Sequence, residues 1–201
     1  KIKQVGICGT DLHAFEGTQP YFNYPRILGH EIAAEIADAT YADGFRVNDP
    51  VTILPYFNCG ICKACVTGKP NCCVQLKVCG VHVDGAMVEY LSVPVHSLLA
   101  AQGLTHDELA LVEPLAIGAH AIRRAAVQPG ETVLVIGAGP IGMGIIEFAH
   151  IAGAKVVVMD INDDRLQFCR QRLPVSAIIN ASSSNVTKLL LEYTNNAMPD
   201  V

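Results

Sequence analysis

The sequence predicts a two-part fold: a β-rich first part that carries a cysteine lobe, then an α/β part built on a parallel sheet. Three observations predict it. Up to about Pro94 the chain consists of short β-prone segments, such as 46–54 and 87–93, cut by Gly, Pro and Asn. Within that part Cys59, Cys62, Cys65 and Cys73 follow the spacing C-x2-C-x2-C-x7-C. From Thr132 onward apolar strand-like runs alternate with helical ones, the βαβα order that builds a parallel sheet.

Composition bounds the reading. With 201 residues, 51% of them hydrophobic, the chain can bury a core, as one domain or as parts of two. A net charge of -5, with Lys and Arg scattered and no basic stripe, argues against a nucleic-acid partner. The longest uncharged stretch, about 132–146, falls short of the ~20 residues of a membrane span and is broken by glycines and Pro140, so no membrane partner is expected. No secretory leader pattern opens the chain, and its thiols fit a reducing cytoplasm.

In chain order, Cys8 and His30 come first, each inside a turn-like segment, Gly6-Ile7-Cys8-Gly9-Thr10-Asp11 and Gly29-His30-Glu31. Taken singly, a cysteine is more often a small core residue, and a histidine more often part of hydrogen-bonded structure, than a ligand. The lobe follows. Two-residue gaps let three thiolates converge about 2.3 Å from one zinc ion, and the longer arm brings Cys73 back as the fourth ligand, leaving Cys72 free. Four ligands close the site, so this metal shapes a loop and does no chemistry. The competing reading is a disulfide framework, which eight cysteines in a chain this long do not favour. At Thr105 the pattern turns helical. Thr105 and Glu108 form a capping-box signature, an apolar stretch runs through Leu109, Leu111 and Val112 toward Ala126, and Pro114 is expected to kink or interrupt it. After the turn at 128–130 come a strand over 132–136, a helix over 139–152, a strand over 155–160 and a helix over 164–172. A short strand near 177–179 and a helix over about 185–193 continue the pattern.

The first turn of that run carries G-A-G-P-I-G at 137–142, which matches G-x-G-x-x-G directly after a strand and at the opening of a helix. Gly137 makes the tight turn, Gly139 admits a pyrophosphate to the backbone, Ile141 lies in the same turn, and Gly142 lets helix pack on strand. The helix N-terminus then faces the phosphates. Asp160, at the end of the next strand, is placed to accept hydrogen bonds from a ribose, which favours NAD over NADP because a 2′-phosphate would meet like charge. Arg165 is a candidate to lie along the adenosine ribose, with a solvated surface arginine as the alternative.

G-I-C-G-T-D-L-H, G-H-E, the four-cysteine lobe, V-E-P-L and G-A-G-P-I-G occur in the order found in the zinc-dependent medium-chain dehydrogenases, the alcohol dehydrogenase superfamily, which essentially the whole chain resembles. The resemblance implies a GroES-like catalytic domain with a structural zinc lobe over 1–127 and the first half of a Rossmann NAD-binding domain over 128–201. It implies a catalytic zinc at Cys8, His30 and Glu31, with Glu113 bound directly or through a water, hence two Zn2+ per chain. It further implies a proton relay through Thr10 and His13 and hydride transfer from a zinc-activated alcohol to NAD. Glu113 stands where other alcohol dehydrogenases carry a second cysteine, a feature similar to the polyol and threonine dehydrogenase branch. For Glu31 and Glu113 a buried carboxylate paired with a base is the alternative; for Thr10 and His13 it is a cap-and-turn role.

Segments at 27–32, 80–85, 90–94 and 119–126 look like the bacterial L-galactonate 5-dehydrogenase group. That likeness implies a small-molecule alcohol substrate, oxidised at a secondary hydroxyl of a sugar acid or polyol. L-Threonine is the alternative substrate, and a non-catalytic zinc and nucleotide-binding protein is the alternative of another class. A homo-oligomer, dimer or tetramer, is implied at full length. Two positions depart from the family: Ala34 and Asn48 stand where glycine is common. Alanine at 34 requires only that the backbone avoid positive φ. Against the family pattern the chain lacks N-terminal strand and the second half of the nucleotide fold, so it is expected to be a fragment with little turnover of its own.

Overall fold

The computed structural model describes residues 1–183 and 185–201. They divide into two units, Lys1–Glu113 and Pro114–Val201. The first contains β1 (Ile2–Gly6), α1 (Gly9–Phe15), β2 (Glu31–Glu35) and β3 (Pro50–Ile53). The short strands β4 (Tyr56–Phe57) and β5 (Lys77–Val78) bracket α2 (Lys63–Val66), and β6 (Leu98–Ala100) and α3 (His106–Ala110) follow. The main sheet has the order β1-β2-β3-β6 and is antiparallel throughout. Alternation along β2 serves both of its faces: Ile32 and Ala34 pack with Val51, Ile53, Cys79 and Ala86, while Ala33 meets Leu109 and Ala110 of α3. The expected capping box starts α3, with Glu108 N–H donating to Thr105 Oγ1 at 3.3 Å and Thr105 N–H donating to Glu108 Oε2 at 2.8 Å.

Several local expectations are corrected. Residues 46–49 form a turn that precedes β3: Asn48 has φ +70°, and Asp49 Oδ2 accepts the Arg46 N–H at 2.7 Å. Asparagine tolerates that left-handed backbone, which explains how it replaces a glycine. Ala34 lies in β2 without positive φ, as the alanine requires. Residues 87–93 are not a strand; the Ile2 N–H to Glu89 C=O bond at 2.9 Å is an isolated pairing and starts no ladder. The segment after Cys8, read as turn-like, is the helix α1.

The helix α4 (Val112–Ala125) follows α3 after a break at Leu111. The break is upstream of Pro114 because the proline ring clashes with the carbonyl four residues earlier, that of Ala110, whereas in the first turn of α4 its missing N–H costs nothing. The second unit continues with β7 (Thr132–Ile136), α5 (Pro140–Ile151), β8 (Lys155–Asp160), α6 (Asp163–Arg172), β9 (Ala177–Asn180) and α7 (Val186–Tyr193). Its three strands are parallel in the order β7-β8-β9. Val156 and Val158 of β8 pack with Ile146 and Ala149 of α5 and with Leu166 and Cys169 of α6, and Val157 packs on the other face with Ile179 and Leu190. Helices thus cover both faces, as a parallel sheet demands. Each buried valine contributes about 1.5–3 kcal/mol relative to exposure. On the other edge of β7, Leu134 N–H donates to Val201 C=O at 2.8 Å and Val201 N–H to Thr132 C=O at 3.3 Å, the bonding pattern of a parallel neighbour. Among the described residues no helix is long and apolar enough to cross a membrane.

Candidate functional site

Antiparallel pairing of β1 with β2 sets Gly6 opposite Glu31, and this brings the Cys8 turn beside the His30 turn. One donor atom from each of Cys8, His30 and Glu31 lies within 4.8 Å of the others. His30 and Glu31 are 8% and 7% exposed, unusual burial for groups of this kind unless they are paired or bind a metal. Asp11 fastens the two turns together: its Oδ2 accepts the Cys8 N–H at 2.9 Å and its Oδ1 the Gly29 N–H at 3.0 Å. The same Oδ1 lies 3.7 Å from His30 Nδ1, a buried nitrogen with no hydrogen-bond partner among the described residues.

Electrostatics follow from this crowding. The hydrogen bond with His30, helped by the amide and hydroxyl of Thr10, holds the Cys8 thiol below its ordinary range against burial. Burial opposes the His30 imidazolium, but Cys8 and Asp11 outweigh it and the net shift is upward. Burial pushes Glu31 up, with His30 offsetting part of the effect. A thiolate, an imidazole and a carboxylate around one point are a donor set that suits zinc with an open fourth position. Glu113, in the first turn of α4, is outside this three-residue donor group; its Oε1 accepts the Tyr56 hydroxyl at 2.8 Å. Burial first, and then the Glu113 charge, push the Tyr56 phenol well above its usual range.

Thr10 and His13 fall three positions apart on α1 and therefore on one helix face. Thr10 touches Cys8 through the hydrogen bonds above. His13 is outside the donor group, exposed, with Nδ1 3.5 Å from Glu16 Oε2.

The lobe sulfurs form a second cluster, Cys59, Cys62, Cys65 and Cys73. Their Sγ separations are 3.5 Å for Cys62–Cys65, 3.5 Å for Cys73–Cys59 and 4.0 Å for Cys59–Cys65. A tetrahedron with metal–sulfur bonds of about 2.3 Å has sulfur–sulfur edges of about 3.8 Å, so the cluster has the dimensions of a zinc tetrathiolate. The amides of Cys59 and Gln75 donate to Cys73 Sγ, each at 3.3 Å. Backbone amides of Cys65 and Val74 pull Cys62 down to about 6; the Cys59 amide acts in the same sense on Cys73, but burial and neighbouring thiols push it up to about 11. Thiolates this close cannot all ionise without a cation. All eight cysteines are free of disulfides, and Cys72 is exposed outside the cluster.

In the second unit Gly137, at φ +103°, turns the chain out of β7. A Cβ on Gly142 would lie 1.9 Å from Gly137 C=O, so helix and turn can close only on glycine. Gly139 caps α5, with Pro140 in its first turn, and nothing lies within 4 Å of where its Cβ would be. Ile141 is half-buried in that turn and Arg165 is exposed on α6. Asp160 accepts the Ala138 N–H at 2.6 Å through Oδ2 and the Asn162 N–H at 2.9 Å through Oδ1. Those amides, the Ala138 one first, hold its carboxyl below the usual range.

Sequence reasoning missed Asp11, Gly6 and Tyr56. Asp11 had a readable signal, an acidic residue three positions after Cys8, the helix-capping spacing. A Cβ on Gly6 would lie 2.0 Å from Glu31 Oε2, and Tyr56 meets Glu113 across the sequence; neither contact has a local signature.

Comparison with known proteins follows the same division. Residues 1–103 match the alcohol dehydrogenase GroES-like domain, and residues 132–196 match the 3-hydroxyacyl-CoA dehydrogenase NAD binding domain. L-galactonate-5-dehydrogenase of Escherichia coli is 52% identical over 86% of the chain and 51% of its own length. L-threonine 3-dehydrogenase of Legionella pneumophila is 34% identical over 96% of the chain and 58% of its own length. An alcohol dehydrogenase from Escherichia coli, solved with NADH, superposes with a TM-score of 0.87 at 33% identity over 96% of the chain and 58% of that structure. The chain thus spans about half to three fifths of the length of the relatives it matches.

Proposed function

The chain belongs to the zinc-type alcohol dehydrogenase superfamily, with a GroES-like domain followed by a Rossmann-type parallel sheet, and from that premise we propose that it serves NAD-dependent oxidation of a secondary alcohol. The observation that carries this reading is the convergence of Cys8, His30 and Glu31 in a donor group distinct from the four-cysteine lobe of the same unit. A scaffold without chemistry has no use for a second donor set that leaves a coordination position open.

In this reading Cys8, His30 and Glu31 hold the catalytic zinc, and Cys59, Cys62, Cys65 and Cys73 hold a structural one. When bound, the catalytic ion supplies Lewis acidity that makes a substrate hydroxyl a stronger acid, and NAD supplies the hydride acceptor. The protein's own groups do the rest. Asp11 holds the Cys8 and His30 turns in register through its two carboxylate oxygens. Thr10 Oγ1 and the His13 imidazole pass the hydroxyl proton outward, a role that the exposure of His13 supports because its ring exchanges with solvent. Gly137, Gly139, Ile141 and Gly142 form the phosphate turn at the α5 N-terminus, and Asp160 accepts the ribose hydroxyls, with Arg165 beside it.

The substrate is a sugar acid of the L-galactonate type or a polyol, a reading supported by the 52% identity to L-galactonate-5-dehydrogenase. The match to L-threonine 3-dehydrogenase keeps L-threonine as the second reading. A panel of sugar acids, polyols and L-threonine, assayed with NAD on the full-length protein, decides between them. Highest kcat/KM on a sugar acid supports the first; highest on L-threonine transfers the assignment to the second.

A further inference from the structure

We propose that Tyr56 is a positioning residue that holds Glu113 away from the metal and so keeps the fourth coordination position of the Cys8, His30, Glu31 site open. The proposal rests on the reading of those three residues as a zinc site. Glu113 is near enough for its charge to act on both His30 and Glu31, yet it is outside the donor group that those residues form with Cys8. A carboxylate beside a dication would bind it unless something held it back, and a fourth protein ligand would close the site.

The restraint is the 2.8 Å hydrogen bond from the Tyr56 hydroxyl to Glu113 Oε1, between residues 57 positions apart. Tyr56 suits that task. It is half-buried in β4, whose pairing with Val78 of β5 fixes its backbone, and its side chain has no flexible stem. Glu113 is equally anchored in the first turn of α4. The hydrogen bond engages one carboxylate oxygen and sets where the other points, which makes the openness of the site a property of the tyrosine hydroxyl.

The test uses the full-length protein with Co2+ replacing Zn2+, titrated with thiocyanate and followed by the cobalt d–d absorption. Wild type should bind thiocyanate at the open position. Tyr56→Phe, with a wild-type melting curve, should bind it about tenfold more weakly or worse, with an altered d–d spectrum as Glu113 takes the position. Tyr56→Phe combined with Glu113→Gln should restore both signals. A Tyr56→Phe protein that binds thiocyanate and absorbs like wild type overturns the proposal, as does a double variant that restores neither signal. If wild type takes up cobalt in the four-cysteine lobe alone, the zinc-site reading falls and the proposal with it.

Discussion

Gly6 and Glu31 face each other across β1 and β2 with no room for a methyl group: a Cβ on Gly6 would lie 2.0 Å from Glu31 Oε2 and 2.8 Å from Glu31 Cβ. Gly6 has no positive φ, so the space and not the backbone conformation demands glycine. Gly6→Ala should therefore displace the Glu31 carboxylate and weaken metal binding at that site about 10–100-fold, the range for loss of an outer supporting contact. Competition with a chelator measures it, and affinity equal to wild type would remove the steric role.

The lobe makes a sharper distinction between neighbours. Cys73 Sγ is within the thiol cluster and accepts two backbone amides, whereas Cys72 is exposed, outside the cluster, and its Sγ accepts the Asn71 side-chain amide at 3.5 Å. Cys73→Ser should lose the lobe metal and lower Tm, because binding to such a site is coupled to folding. Cys72→Ser should retain both. Equal metal loss in the two variants would contradict the assignment.

Asp160 is held by the Ala138 and Asn162 amides, and in the proposed ribose-binding role its carboxylate would meet a 2′-phosphate with like charge. Asp160→Ala should narrow the preference for NAD over NADP by about tenfold, read as the ratio of dissociation constants. The carboxylate also has a pH signature. Its folded value lies below the ordinary one of about 3.9, so its contribution to stability is fully present above that value and is lost as pH falls through the folded one. Asp160→Asn should flatten that acid limb of the melting profile; an unchanged limb would show that the amides do not stabilise the charge.

Gly142→Ala would place a Cβ 1.9 Å from Gly137 C=O, a backbone atom that cannot yield without opening the turn. Loss of NAD binding with destabilisation of about 1–3 kcal/mol is expected. Calorimetric binding and a denaturant melt check it, and a variant that binds NAD like wild type would show that the turn can shift.

The second unit was legible in the sequence because its signals are local. An apolar run, a glycine turn and an acidic residue at the next strand end fix β7, α5 and β8 to within a residue or so of where they lie. The lobe was legible for the same reason, since its spacing is its geometry. The first unit was less so. The helix after Cys8 is a single short amphiphilic run capped at its start by Asp11, too brief to show a 3.6-residue period, and 87–93 has strand-like residues but no ladder partner. Tyr56 and Gly6 act through contacts made by folding, and no pattern along the chain announces them.

Two donor sets, one of four thiols and one of Cys8, His30 and Glu31, stand at the centre of this account, and zinc content per chain tests their independence most directly. Elemental analysis of the purified full-length protein should find two zinc ions per chain, and Cys8→Ala should retain one, held by Cys59, Cys62, Cys65 and Cys73. A single zinc in wild type, or loss of both ions in Cys8→Ala, would contradict it.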